Sequence, residues 1–203
     1  MTPQPLYTFA FLKRPLPPDI PTGWQGCSVE FIEVGDLAAA VDTTLPWEQI
    51  QSQDEELLKA ALLHDRVICD LFRQQPVLPL HFGTIFVSLD GIERHLQSHA
   101  QQYQERIQNF VGMGEYTLKI APALFDNADE EQAEQERFAL QEYLEKDYPN
   151  LVEGIPQWGI ERLHILIPVQ QEADLHRQVA ECQRQYACWD LDLQGPLPPY
   201  HFA

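Results

Sequence analysis

The chain has 203 residues, 44% of them hydrophobic, with 31 acidic residues against 13 basic ones and a formal charge of -18. That length suits one larger domain or two small ones with a globular core, and the charge repels a phosphate backbone, which argues against nucleic acid as a partner. No apolar run reaches the length of a transmembrane helix, and the first twenty residues lack the basic region of a secretory signal, so a soluble cytoplasmic protein is expected. Cys27, Cys69, Cys182 and Cys188 are widely spaced and form no paired ligand motif. They read as ordinary thiols rather than a disulfide framework or a zinc site.

Residues 6–12, LYTFAFL, form a compact aromatic and aliphatic run that predicts a first strand. The following segment carries prolines at 15, 17, 18 and 21 and must be a loop. Strands are expected over residues 29–34 and 37–41. Acidic residues 54–56 suit the positive end of a helix, and Leu57, Ala60, Ala61, His64, Val67, Ile68 and Leu71 then recur at helical spacing. His64 lies beside that apolar stripe, which points to packing or hydrogen bonding. Arg66 and Asp70, four apart, predict a surface ion pair.

Residues 76–87, PVLPLHFGTIFV, are the most informative stretch. Branched and aromatic side chains predict a buried strand, while Pro79 and Gly83 predict an irregular centre. Ser88 is the expected cap of one long amphipathic helix running to about Val111, with Ile92, Leu96, Tyr103, Ile107 and Phe110 on its packed face. His95 and His99 share a face of that helix, but no complete metal shell follows from them. Gly112 and Gly114 end it.

A strand over residues 115–120, an acidic helix over 126–147, a strand over 161–168, a helix from Glu172 to about Tyr186 and a strand over 188–193 complete the alternation. In the strand at 161–168, Leu163, Ile165 and Ile167 face one side, and His164, on the other, need not be buried. Residues 195–202, GPLPPYHF, are stiffened by three prolines and carry aromatic residues able to pin them to the body. The chain has no phosphate-binding loop, nucleophile elbow or complete metal motif, and His64, His81 and His201 in isolation define no reaction. An enzyme is not expected, and neither is a cofactor.

Four separated signatures carry a resemblance: ALLHDRV over residues 61–67, VLPLHFGTIF over 77–86, GMGEYTLKI over 112–120, and GPLPPYHF over 195–202. In order and spacing the chain resembles the gas vesicle GvpL/GvpF protein family over nearly its whole length. The resemblance implies a two-domain α+β fold, with a ferredoxin-like N-terminal domain over residues 1–113 and an α/β sandwich-like second domain over 114–203. It implies a non-enzymatic accessory protein of gas vesicle assembly that binds the small hydrophobic shell protein and limits its premature aggregation. The alternatives are a minor structural component retained on the vesicle, or a divergent adaptor outside vesicles. Other gas vesicle accessory proteins are further partners on this reading, and the expected location is cytoplasmic, free or associated with gas vesicles.

The candidate structural or interaction residues are His64, then Pro79, His81, Phe82, Gly83 and Phe86, and finally Gly195, Pro198, Pro199, Tyr200 and Phe202. The family usually has arginine where this chain has His81, and an aromatic residue where it has Leu197. Histidine lacks the five-donor fork and permanent charge of arginine, so the resemblance implies a lost carboxylate or partner contact at that position.

Overall fold

The computed structural model describes residues 5–123 and 130–203. They divide into two compact units: one holds the residues up to Val111 with Pro198–His201 and Ala203, the other residues 112–197 with Phe202. Each has its own antiparallel sheet and its own apolar core. The architecture is therefore α+β in two parts, as the family resemblance implies.

In the first unit, β1 (Leu6–Lys13) lies between β3 (Leu37–Asp42) and the short strands β4 (Val77–Pro79) and β5 (Ile85–Phe86). Outside β3 lies β2 (Glu30–Val34), giving the order β2-β3-β1-β4. The stretch expected to be one strand with an irregular centre is thus two strands around a turn. Prolines cannot donate to a ladder, and Pro79 accordingly sits where the first of these strands ends. A register shift in β1 between Thr8 and Ala10 marks a bulge. Tyr7, Phe9, Ala10 and Leu12 all join the core built with α2 (Asp54–Phe72), whereas Phe11 meets the rings of Phe86, His95 and Tyr103.

The proline-rich segment after β1 is held by Asp42, which is buried. Its carboxylate accepts from Trp24 N at 2.6 Å, Thr44 N at 2.7 Å, Thr44 Oγ1 at 2.7 Å and Leu45 N at 3.0 Å. A short helix α1 (Trp47–Ile50) leads into α2. The expected Arg66–Asp70 pair is not what forms. Arg66 donates to the carbonyl of Thr22 at 3.0 Å, and Asp70 pairs with Arg73 one turn on.

The single helix expected after Ser88 is two, α3 (Leu89–Ser98) and α4 (Ala100–Asn109). Ser88 caps the first as expected, its hydroxyl accepting from Gly91 N at 3.1 Å. The break lies at His99, whose φ of -112° and ψ of 12° leave the helical region. Its backbone N–H and its ring Nδ1 both approach the His95 carbonyl, at 3.1 and 2.8 Å, so a side chain competes for a helical acceptor.

The second unit runs β6 (Met113–Pro122), α5 (Glu130–Asp147), β7 (Val152–Glu153), β8 (Glu161–Pro168), α6 (Glu172–Gln185) and β9 (Trp189–Leu197). The start of the acidic helix expected at residue 126 lies outside the described residues. The sheet order β7-β8-β6-β9 repeats the connectivity of the first sheet. Tyr116, Leu118 and Ile120 of β6 and Leu163, Ile165 and Ile167 of β8 share one core with Leu140 and Leu144 of α5 and Leu175, Val179 and Cys182 of α6. Both helices therefore lie on one face of the sheet. Two expectations change here. Gly114 belongs to β6 rather than to the stop before it, and β9 extends past Leu193 to Leu197.

His164, expected to tolerate exposure, is buried. Its Nδ1 lies 3.0 Å from Thr117 Oγ1 and 3.4 Å from Glu115 Oε1 on the paired strand. The second face of this sheet is polar yet dry at these positions, which alternation alone does not reveal. At the sheet's edge, the Gln183 side chain of α6 donates to the carbonyl of Trp189 at 2.8 Å and accepts from Leu191 N at 2.7 Å. One amide thus occupies the β9 backbone groups that a neighbouring strand would use.

Candidate functional site

The turn between β4 and β5 is built by residues distant from it in sequence. Tyr7, in β1, carries a phenol hydroxyl into the core, and a buried phenol needs a partner. It finds His64 of α2: Tyr7 Oη lies 2.9 Å from His64 Nδ1. The other imidazole nitrogen, Nε2, lies 3.0 Å from the carbonyl oxygen of Leu80. A carbonyl only accepts, so Nε2 carries the proton; in the neutral ring Nδ1 then accepts from Tyr7. The phenol oxygen in turn accepts from Gly83 N at 3.2 Å. The donors run Gly83 N–H, Tyr7 O–H, His64 Nε2–H, and end on Leu80.

Burial shapes the chemistry of both rings. It pushes the His64 imidazole below its ordinary range, outweighing the opposing hydrogen bond to Leu80, and it pushes the Tyr7 phenol well up. His64 is further boxed by Phe9 and Phe82, with ring centroids at 5.7 and 5.6 Å. Phe82 also meets Trp47 edge to face at 5.3 Å. Trp47 closes over Gly83, whose φ of +85° suits glycine, and a Cβ there would fall 2.9 Å from the indole. Thr84 completes the turn, its N–H and Oγ1 both donating to the His81 carbonyl, at 3.1 and 2.7 Å.

Outside this frame lies an open recess of about 280 Å³, lined by His64, Pro79, Leu80, His81, Phe82, Tyr200 and His201. His81 is exposed, and Phe82 is 39% exposed despite its ring contacts. Tyr200 packs its ring against the first core and donates to Asp65 Oδ1 at 2.8 Å. Burial first, and then that carboxylate, hold its phenol far above the ordinary range. Two signatures more than a hundred residues apart thus meet around one opening.

The sequence candidates therefore separate. His64, Pro79, His81, Phe82 and Tyr200 line the recess, and Gly83 shapes its turn. Phe86 faces elsewhere, 6.4 Å from Phe11 and 5.1 Å from His95 by ring centroid. Pro198 and Pro199 are buried in the first unit, and Phe202 is half-buried. Gly195 serves the second unit: its φ is +152° and a Cβ would come within 2.5 Å of the Tyr116 ring. Sequence reasoning missed Tyr7 and Trp47. The hydroxyl of Tyr7 inside an apolar strand was the available signal; Trp47 offered none.

The fold is a two-unit α+β protein whose first-unit signatures gather on a braced turn beside an open recess. The sequence matches the family described as Gas vesicle synthesis protein GvpL/GvpF over residues 5–138 and 122–203, and the chain belongs to that family. No curated protein matches the chain. Among solved structures, the crystal structure of gas vesicle protein GvpF from Microcystis aeruginosa is similar with a TM-score of 0.77, at 15% identity and covering 98% of each chain. That of GvpF from Anabaena sp. PCC7120 is similar with a TM-score of 0.78, at 17% identity, covering 98% of this chain and 95% of that one. At such identities the likeness establishes the fold.

Proposed function

We propose that the protein is a non-catalytic accessory factor of gas vesicle assembly, which binds the small hydrophobic shell protein and limits its aggregation before assembly. Membership of the gas vesicle synthesis family supports the setting. The observation that carries the binding role is the braced turn, which holds Phe82 partly exposed beside His81 and Tyr200 at the mouth of the recess. An apolar side chain of the partner gains by leaving water there, and the rigid turn loses little entropy on binding. A catalytic role for His64 has little support, because both its nitrogens are committed to Tyr7 and Leu80.

On this reading the protein works in the cytoplasm, free or associated with vesicles, alongside other accessory proteins of assembly and without nucleic acid. No helix among the described residues is long and apolar enough to cross a membrane. The shared strand order further supports reading the first unit as ferredoxin-like, with the proline-rich loop in place of one helix, and the second as a two-layer α/β sandwich. The test uses purified components. Light scattering of the shell protein should rise more slowly with this protein present, and Phe82→Ser should weaken the effect. No binding and no change in scattering under assembly conditions would overturn the proposal.

A further inference from the structure

The hairpin that joins β7 to β8 ends in a two-residue loop, Trp158-Gly159. Gln157 and Ile160 close it with a reciprocal pair of backbone hydrogen bonds, each 3.0 Å. Both loop residues have positive φ, 58° and 76°. That is the pattern of a type I′ turn, where asparagine, aspartate or glycine is at home in the first position. Tryptophan is not: a bulky side chain with positive φ is a rare and costly arrangement. The indole returns nothing to the fold, since Trp158 is 97% exposed, and Ile155 on the same hairpin is 83% exposed.

The base of the hairpin is fastened to α5. Arg137 pairs with Glu161 at 2.6 Å, and Gln141 donates to Glu153 at 2.6 Å. Phe138, next to Arg137 on that helix, is 72% exposed. Beside the base of this hairpin the accessible charge is mostly negative. The outer surface of α5 carries Glu134, Glu142 and Glu145 against one exposed cation, Lys146. Of the cations at the hairpin base, Arg137 is engaged by Glu161, and Arg162 donates to the Ile160 carbonyl at 3.4 Å.

We propose that the Ile155–Trp158 hairpin tip is a docking surface for an apolar segment of a partner protein flanked by lysine or arginine. The apolar tip supplies contact area, and the surrounding carboxylates select the basic flanks. A second copy of this chain fits poorly, because it brings carboxylates against carboxylates. An anionic lipid surface fails for the same reason. The inference deepens the reading of the protein as a handler of an apolar partner and rests on it.

The test uses the full chain and two labelled synthetic helices of about 18 residues, five turns each, one built of leucine and lysine and the other of leucine and glutamate. Fluorescence anisotropy should show binding of the leucine–lysine helix alone. Ile155→Ser combined with Trp158→Asn should weaken it at least about tenfold, a loss of about 1.4 kcal/mol. Leu58→Ser and Val87→Ser, at exposed apolar positions of the first unit, should leave it unchanged. Asparagine tolerates positive φ better than tryptophan, so the double variant should melt no lower than the parent, which separates lost docking from lost folding. Equal binding by the double variant, equal binding of the leucine–glutamate helix, or capture by phosphatidylcholine vesicles in place of either helix overturns the proposal. The shell-protein scattering assay distinguishes the two readings. A double variant that still restrains aggregation removes the tip from that task, whereas an inactive parent removes the assembly role itself.

Discussion

Tyr7 and His64, 57 positions apart in sequence, share a buried hydrogen bond of 2.9 Å, and through it they tie Leu80 to Gly83 beside the turn at residues 81–84. Tyr7→Phe keeps the ring and its packing but leaves His64 Nδ1 and the Gly83 amide without their partner. Unpaired buried polar groups cost about 1–3 kcal/mol. Urea denaturation should show a loss of that size, and hydrogen exchange should quicken at Gly83 ahead of the amides of β1. Unchanged exchange at Gly83 would mean that the phenol does not brace the turn.

The buried imidazole also sets a pH dependence. His64 is shifted below its ordinary value of about 6.5, so between the two values the unfolded chain binds more protons than the folded one. Stability from the neutral ring is therefore complete above about pH 6.5 and is lost as the pH falls below it, by at most about 1.4 kcal/mol per pH unit. His64→Gln retains a donor and an acceptor without titrating. Denaturation of the two proteins between pH 7.5 and 5 should diverge on the acid side only. His95, shifted the same way by burial and then by His99, is common to both and cancels in the difference.

Gly83→Ala meets two separate obstacles, a positive φ and the Trp47 indole 2.9 Å from the new methyl. Backbone strain and overpacking each cost roughly 1–3 kcal/mol. Adding Trp47→Leu should relieve the overlap but not the strain. A thermal-melt cycle of the two substitutions should therefore show positive coupling with incomplete rescue. Full rescue would mean that the left-handed backbone is not a constraint.

Gln183 guards an edge. An open strand edge is a template for pairing with another chain, and this side chain occupies the carbonyl of Trp189 and the N–H of Leu191. Gln183→Ala should speed hydrogen exchange at Leu191 and produce concentration-dependent association in sedimentation velocity. Gln178→Ala, on the same helix, should not. A variant with a quickened Leu191 amide but no new association would restrict the role of Gln183 to local stability.

Much of this fold could be read from local signals. The run at LYTFAFL, the acidic start of α2, the Ser88 cap and the alternation of Leu163, Ile165 and Ile167 each depend on neighbours within a few residues, and each appears where expected. The readings that changed depend on groups distant in the chain or on exact geometry. The helix breaks at His99, whose backbone leaves the helical region although the apolar period continues through it. His164 lies on the phase that alternation assigns to solvent, yet it is buried beside Thr117 and Glu115. At the site, spacing could mark His64 and the PLHFG stretch as notable, but not that Tyr7 joins them or that Tyr200 arrives at the same opening. Those are tertiary coincidences with no sequence period.

The turn at residues 81–84 is closed twice, once by its own backbone and once from outside itself. In an ordinary four-residue turn the first carbonyl accepts directly from the fourth N–H. Here His81 and Thr84 make that bond at 3.1 Å, and a second link, from Leu80 to Gly83, passes through His64 and Tyr7, two rings from other elements. The bracing of the motif is thus not portable. A synthetic peptide of residues 76–87, or the same twelve residues grafted into another scaffold, keeps the His81–Thr84 bond but lacks the two rings that brace the turn. Its failure to bind a partner would leave open whether the intact protein binds.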